Sequence, residues 1–266
     1  MIALPDPCPL LEFNNVTVIT GGAKVLDSLS VTIRAGEHVA ILGPNGAGKS
    51  SFIKAVTREY YPAAAKGQVT FRMGGRDVWH ISDLRSLLGI VSNELQYTFT
   101  RSITAREVVL SGFFSSVGLF CHCITEAMER RTDEVLAFLE IDHLQDRAMD
   151  TLSSGEARRM LIGRALVHSP DALILDEPTT SLDLAAQHSF RTTLRKIAQA
   201  GTGIIMVTHN LHDIIPEISR VMLMKEGKIV RDGPKEAVLT DGVIGGLFGV
   251  PVHVHTDGGW YYATGY

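Results

Sequence analysis

Hydrophobic positions follow two different patterns along the chain. Val16–Val18, Val31–Ile33 and Val69–Phe71 are β-branched or aromatic runs bounded by Gly, Asn or Asp, which predict an antiparallel layer at the N-terminal side. Other runs, "VAIL", "ALIL" (Ala172–Leu175) and "IIMV" (Ile204–Val207), are apolar without alternation, as is typical of parallel strands covered on both faces. The pattern therefore predicts an α/β core with an added antiparallel β layer.

Between these strands, apolar residues recur at helical spacing. Residues 125–140 and 183–201 each present one apolar helix face. Helix signals prevail from about residue 97 to 153, which predicts a mostly helical lobe inserted into the α/β core. We predict one domain over residues 10–240, followed by a short C-terminal extension over residues 241–266.

Composition narrows the classes of partner and location. The 266 residues carry a formal net charge of −4, which disfavours a nucleic acid partner held by bulk charge. Three cysteines cannot all pair within the chain and the start lacks a secretory signal, so we expect a cytoplasmic protein. The most apolar stretch, Val108–Ile124, falls short of the roughly 20 apolar residues of a membrane-spanning helix, so we expect no span.

A glycine-rich segment, "GPNGAGKS", follows the "VAIL" run and precedes a predicted helix. Glycines in it allow backbone conformations in which successive N–H groups converge on phosphate at the helix start. Lys49 would reach the β and γ phosphates, and the Ser50 hydroxyl would ligate Mg²⁺. The predicted nucleotide ligands in this segment are Gly43, Pro44, Asn45, Gly46, Ala47, Gly48, Lys49, Ser50 and Ser51.

Three more segments accompany this loop: "LSSGEARRM" (Leu152–Met160), "ALILDEPTTSLD", and "VTHN" (Val207–Asn210). Together with the glycine-rich loop, or Walker A motif, they resemble in order and spacing the signature motif, the Walker B strand with its D-loop and the switch histidine of the ATP-binding cassette (ABC) family. The resemblance covers nearly the whole chain. It implies a P-loop NTPase fold with a RecA-like parallel sheet, ATP and Mg²⁺ as cofactors, and ATP hydrolysis coupled to transport.

The resemblance also implies catalytic roles. Asp176, at the end of an apolar strand, would hold Mg²⁺ through water. Glu177, the next residue, would be the base that activates the attacking water. His209 would contact the γ phosphate.

The signature motif implies a second copy of the chain. Ser153 and Gly155, at the start of a helix beginning near Glu156, would complete the nucleotide site of a partner cassette, so that two chains enclose two ATP molecules head to tail. Asp183 belongs to the D-loop, which would run across that interface. The sequence also predicts it as the N-cap of the next helix. Ser154 and Glu156 replace the Gly and Gln most common in the family.

Two positions depart from the family pattern. Thr20 stands where the family often stacks an aromatic residue on adenine, and Phe13 nearby could either supply that ring or be buried. At the Q-loop, Asn93 lies at the direct register and Gln96 three residues later. We favour Gln96 as the residue that ligates Mg²⁺ and orients the attacking water.

The C-terminal stretch looks like the tail of cassettes that energise uptake of iron chelates, cobalamin or molybdate-like oxyanions. His253 and His255 within it fall on one face of a strand, which favours a solvated polar face over a metal site. In the helical lobe, Phe113, Phe114, Leu119 and Phe120 follow no single helical face. We expect at least one of these four to line a groove for a membrane partner.

Two function classes follow. The leading hypothesis is an ATP-hydrolysing subunit that drives transport, as import, through a separate transmembrane permease, with the homodimer peripheral on the inner face of the cell membrane. The alternative is a soluble ABC-type ATPase that acts on nucleic acid or ribosomes. Relatives of that kind carry two cassettes in one chain, or a long coiled coil between the glycine-rich loop and the signature, and this sequence has neither feature.

Overall fold

A computed structural model describes residues 8–63, 69–79, 81–92, 95, 98, 99, 103–119 and 122–266. The chain forms two compact units, one of residues 82–202 and one that joins the residues before 82 to residues 203–266. The sequence-based division into a domain of residues 10–240 and an extension of residues 241–266 stays a prediction. None of the described helices is both long and apolar enough to span a membrane.

The predicted antiparallel layer is present in the unit that contains residues 8–81. Its strands are β1 (Pro9–Thr20), β2 (Ala23–Arg34) and β4 (Thr70–Met73), in the order β2-β1-β4. Along β2, Leu29, Val31 and Ile33 are buried while the residues between them are exposed, which is the alternation of a sheet with one covered face.

A second sheet in the same unit contains β3 (His38–Leu42), β7 (Gly203–Thr208), β8 (Arg220–Lys225) and β9 (Lys228–Pro234), in the order β7-β3-β8-β9. β3 is parallel to β7 and β8, and β9 is antiparallel to β8. Residues 39–42 are completely buried, which explains why the run "VAIL" shows no alternation.

This unit also contains helices α1 (Lys49–Val56), α7 (Lys235–Val238) and α8 (Asp241–Phe248), and the hairpin of β10 (His253–Asp257) and β11 (Trp260–Thr264). A short 3₁₀ turn occupies Leu211–Asp213. Phe52 of α1 meets Phe13 of β1 edge-on, with ring centroids 6.1 Å apart. Phe13 also stacks on Phe71 at 4.6 Å. These aromatic contacts join α1 to the antiparallel layer.

The other unit contains two parallel strands and most of the helices. Its elements are α2 (Ile81–Leu87), β5 (Leu88–Val91), α3 (Ala105–Leu110), α4 (Glu126–Phe138), α5 (Ser154–Leu166), β6 (Ala172–Asp176) and α6 (Leu184–Gln199). Short 3₁₀ turns occupy Ser111–Phe114, Asp142–Leu144 and Met149–Thr151. The described residues of the predicted helical lobe therefore form helices and short turns.

Local signals and close packing explain these helices. Thr104 caps α3 and forms a capping box with Glu107, because each side chain accepts a hydrogen bond from the other residue's backbone N–H. Gly163 of α5 lies against α3 and α4, where an added Cβ would come within 3.3 Å of Val109 and 3.6 Å of Val135. The three helices thus pack at a small residue.

Candidate nucleotide site

The glycine-rich loop lies at the carboxyl end of β3 and continues into α1. The N–H of Gly43 donates to the carbonyl of Thr208 at 3.2 Å, and the N–H of Gly227 donates to the carbonyl of Ala47 at 2.8 Å. Thr208 ends β7, and Gly227 lies in the turn between β8 and β9. The protein itself therefore holds the loop from two sides.

Close approach and backbone conformation explain the glycines of this loop. Gly46 has φ 78° and Gly48 has φ 104°, both in the left-handed region. A Cβ on Gly43 would lie 2.3 Å from the Met224 carbonyl oxygen, and one on Gly48 would lie 2.8 Å from that of Val25. Glycine is therefore needed at Gly43 for space, at Gly46 for conformation and at Gly48 for both.

Lys49 is 5% exposed, and its ammonium group is held against the loop. Nζ donates to the carbonyls of Gly43 at 2.9 Å and Pro44 at 3.0 Å. Asn45, Gly46 and Ser50 are exposed on the outer side of the loop, and Ser51 is half-buried. The predicted ligands thus form one loop and helix start with a positive charge at its centre.

His209 lies at the same edge of the sheet as the glycine-rich loop. Leu42 and Thr208, the last residues of β3 and β7, are partners in the parallel register. Gly43 and His209 are the next residues of the two strands, and His209 is exposed. The structure therefore brings His209 beside the loop, and its contact with the γ phosphate stays a prediction.

Asp176 and Glu177 lie at the end of β6 in the other unit. Asp176 is the last residue of the strand, and both side chains are half-buried. Glu177 has φ 46°, a left-handed conformation that costs a residue with a Cβ about 1–2 kcal/mol. The Thr180 N–H donates to the Glu177 carbonyl at 3.2 Å, so a turn maintains this conformation.

The signature segment starts α5 through a capping box that the pattern Ser-x-x-Glu could have revealed in the sequence. The Glu156 N–H donates to the Ser153 hydroxyl at 3.3 Å, and the Ser153 N–H donates to the Glu156 carboxylate at 2.8 Å. That backbone hydrogen bond holds the pKa of Glu156 below its usual value. Helix α5 begins at Ser154, two residues before the predicted start, and Ser153 and Ser154 are exposed.

The signature helix and the D-loop helix meet at Gly155. A Cβ on Gly155 would lie 2.9 Å from that of Ala186 in α6. Asp183 is the N-cap of α6, as predicted, and its carboxylate accepts the Ala186 N–H at 2.8 Å. Arg158 of α5 is 3% exposed and donates to the Pro178 carbonyl at 2.9 Å. Sequence reasoning missed Arg158, because its role depends on a distant backbone oxygen.

The remaining predicted positions have different outcomes. Asn93 and Gln96, the two Q-loop alternatives, lie outside the described residues. Thr20 is exposed at the end of β1, and no aromatic residue occurs between it and Lys24 at the tip of the β1–β2 hairpin. Phe13 is 2% exposed, packed between the rings of Phe52 and Phe71. Phe13 is therefore a core residue rather than a platform for adenine.

Of the three side chains that the family resemblance assigns to Mg²⁺, Gln96 lies outside the described residues, and the other two are oxygen donors. Ser50 presents an exposed hydroxyl in the first turn of α1. Asp176 presents a carboxylate at the end of β6. Mg²⁺ typically takes such groups together with water and substrate phosphates. Each of these two donors is therefore of a type that Mg²⁺ accepts.

The switch loop, residues 209–212, borders a cavity of about 370 Å³. The opposite wall comes from Ile244 and Phe248 of α8 and from Val250, Val252, Ala263 and Tyr266. His253 and His255, on β10, are exposed and contact Asp241 at 3.2 Å and Thr264 at 2.8 Å respectively. Among the described residues, no group of three His, Cys, Asp or Glu side chains could hold a metal ion.

Comparison with known proteins identifies the family of this chain. Residues 26–180 match the family model described as ABC transporter. The chain is 32% identical over 247 residues to the uncharacterized ABC transporter ATP-binding protein YlmA of Bacillus subtilis, covering 92% of this chain and 93% of YlmA. It is 32% identical over 260 residues to the hemin import ATP-binding protein HmuV of Nitrobacter winogradskyi, covering 94% of this chain and 93% of HmuV.

A solved structure has a similar fold. An inward-facing metal-chelate type ABC transporter aligns with a TM-score of 0.75 and 21% identity over 96% of both chains. The predicted α/β fold is thereby confirmed. From the matched family model and these relatives, the chain belongs to the ABC transporter family, in which it is an ATP-binding and ATP-hydrolysing subunit.

Proposed function

We propose that this chain hydrolyses ATP to energise import through a separate membrane-spanning permease. The observation that carries the proposal is the hydrogen bond between the Gly43 N–H and the Thr208 carbonyl, which joins the glycine-rich loop to the strand that precedes His209. Ligands of α/β proteins bind at the carboxyl ends of parallel strands, where these two segments lie. The Lys49 ammonium at the loop supplies the charge that a triphosphate requires.

Each site residue has a separate role in nucleotide binding or hydrolysis. Residues 43–51 bind the phosphates through the Lys49 ammonium and the loop's backbone N–H groups. Pro44 has no N–H, and the N–H of Gly43 donates to Thr208 instead. Ser50, Asp176 and Gln96 would hold Mg²⁺, which would supply positive charge to neutralise the phosphates. Glu177 accepts a proton from the attacking water, Gln96 orients that water, and His209 contacts the γ phosphate.

The site is completed by a second copy of the chain. Ser153 caps the 13-residue helix α5 at an exposed end, where unpaired N–H groups and the helix dipole favour an anion. Gly155 belongs to that end and lies against Ala186 of α6. Asp183 accepts the Ala186 N–H and therefore lies close to the same end. We propose that these residues bind the nucleotide of the partner chain in a head-to-tail dimer.

Similarity to the hemin import protein supports uptake of a metal chelate as the cargo class. The permease would contact the helical lobe, where Phe113 and Phe114 are half-buried and Val117 is 42% exposed. Phe120, also predicted for this contact, lies outside the described residues. Binding to the permease would place the chain on the cytoplasmic face of the membrane.

Glu177→Gln tests the assignment of the base. The variant keeps the shape of the side chain but removes the proton acceptor, so phosphate release should fall about 100-fold or more while ATP binding persists. Light scattering with ATP should then detect a stable dimer. Glu140→Gln is the matched control, because Glu140 also has a left-handed backbone, φ 58°, and is exposed in the same unit. Hydrolysis at the parental rate by Glu177→Gln would overturn the assignment.

A further inference from the structure

The loop that carries His209 contains a buried hydroxyl–carboxylate pair. Thr208 is completely buried and Asp213 is 2% exposed. The Thr208 hydroxyl donates to the Asp213 carboxylate at 2.5 Å. Burying a carboxylate is costly unless hydrogen bonds compensate, so its presence here requires an explanation.

The same pair closes the loop on itself. The Thr208 hydroxyl accepts the Asn210 N–H at 3.0 Å, and the Asn210 side-chain oxygen accepts the His212 N–H at 3.1 Å. The Asp213 N–H donates to the Asn210 carbonyl at 3.2 Å. The hydroxyl of Thr208, the residue before His209, therefore binds the backbone of Asn210, the residue after it. Through the Asn210 side chain it is also linked to the backbone of His212.

Thr208 also connects this loop to the glycine-rich loop, through the hydrogen bond from the Gly43 N–H to its carbonyl. On another side, the 209–212 loop borders the cavity of about 370 Å³. The cavity leaves space beside this loop. The hydrogen bonds of Thr208 hold the backbone next to the exposed His209 in place.

We propose that Asp213 is a positioning residue, which orients the Thr208 hydroxyl and thereby fixes His209 relative to the glycine-rich loop. The inference rests on the proposed role of His209 in hydrolysis. It differs from a structural role, in which the pair would contribute only to folding. Under the positioning role, removing the pair lowers kcat even in a stable protein.

Thr208→Val, Asp213→Leu and the double variant separate the two roles. Each single change removes the Thr208–Asp213 hydrogen bond while keeping one of its two polar groups buried, so it should lower the melting temperature, whereas replacing both groups with apolar ones should restore part of it. Thr208→Ser keeps the hydroxyl. Thr193→Val is the matched control, because Thr193 is also buried and its hydroxyl donates only within α6, to the Ser189 carbonyl at 3.1 Å.

We expect kcat for ATP hydrolysis to fall about 10-fold or more in Asp213→Leu, in Thr208→Val and in the double variant, since small displacements of catalytic groups have effects of that order. KM for ATP should stay within about 3-fold, because the phosphate loop is unchanged. Thr208→Ser should recover most of the lost kcat. If the double variant regains both stability and kcat, the pair is structural and the inference is wrong.

A measurement without nucleotide gives an independent result. In histidine ring NMR spectra of the nucleotide-free chain, Thr208→Val and the double variant should shift or broaden the His209 signal and leave that of His188, exposed on α6, unchanged. An unchanged His209 signal would contradict the inference. His209→Ala distinguishes failure of the proposed function from failure of this inference. If it hydrolyses ATP at the parental rate, the proposed role of His209 fails. If it is inactive while folded Thr208→Val has parental kcat, only the role of Asp213 fails.

Discussion

Gly46 and Gly48 lie two residues apart in the glycine-rich loop and offer a comparison between strain and overlap. Both have positive φ, 78° for Gly46 and 104° for Gly48. A Cβ on Gly46 would meet no atom within 4 Å, whereas one on Gly48 would lie 2.8 Å from the Val25 carbonyl oxygen and 3.2 Å from the Gly227 Cα. Substitution by alanine therefore adds conformational strain at both positions but steric overlap only at Gly48.

The magnitudes follow from these two terms. A residue with a Cβ in the left-handed region costs roughly 1–2 kcal/mol, so Gly46→Ala should lower the free energy of unfolding by about that amount. At Gly48 the overlapping atoms belong to the backbone and cannot rotate away, which adds about 1–3 kcal/mol. Gly48→Ala should therefore cost about 2–5 kcal/mol. Alanine also reduces the entropy of the unfolded chain equally at both positions, so this effect cancels in the comparison.

Urea unfolding of both variants, followed by circular dichroism without nucleotide, measures the difference directly. Gly48→Ala should unfold at the lower urea concentration with an unchanged m value. Gly242→Ala is a control in α8, where an added Cβ also meets nothing within 4 Å and no positive φ is involved. Equal losses at Gly46 and Gly48 would refute the overlap with Val25 and Gly227 as the reason for glycine.

Three further predictions concern adenine binding, the contact with the permease and the pH dependence of stability. Thr20→Tyr should tighten ATP by about 3- to 10-fold in competition titrations, because a ring stacks on adenine. If the parent strongly prefers ATP over GTP, the interpretation that no aromatic ring stacks on adenine is wrong. Phe114→Ser should weaken capture by the permease with little change in melting temperature, because Phe114 is half-buried and stacks on the exposed His122 at 4.1 Å. Phe190→Ser, in the core, should instead cost about 3–5 kcal/mol. For Glu156, the folded pKa lies below the usual 4.5, so its stabilisation is present above that value and is lost as pH falls through the folded pKa. Glu156→Gln keeps an acceptor for the capping box without titrating, so melting temperatures should fall more steeply in the parent than in the variant below about pH 4.5. Parallel pH profiles would contradict this linkage.

The glycine-rich loop could be predicted from sequence because its conformation is encoded locally. Glycines at fixed spacing, a lysine and an apolar run before them specify a strand, a turn with positive φ and a helix start. The strand register then shows that His209 lies beside this loop, which the sequence alone suggests only by family resemblance. Because Leu42 and Thr208 are partners in adjacent parallel strands, residues that follow them must lie at the same edge of the sheet. His209 is placed by that rule.

Contacts that join distant segments could not be predicted in this way. The sequence gives no sign that Thr208 accepts from Gly43, or that Arg158 donates to Pro178, since each bond uses a backbone carbonyl and any residue has one. Asp213 had a weak signal, an acidic residue beside the apolar pair Ile214 and Ile215. Its burial beside Thr208 depends on how the chain turns after β7, which hydrophobic periodicity does not specify.

The contacts around Glu177 also connect the signature helix to the residue that we propose as the catalytic base. Pro178 follows Glu177 directly, and its carbonyl accepts the hydrogen bond from Arg158 in the second turn of α5. The backbone of Glu177 is held in a left-handed conformation, which persists only where neighbouring contacts determine it. A displacement of α5 would therefore act on the residue next to Glu177. We expect an anion bound at the exposed start of α5 to alter the geometry of the base through Arg158, even with no direct contact between anion and carboxylate.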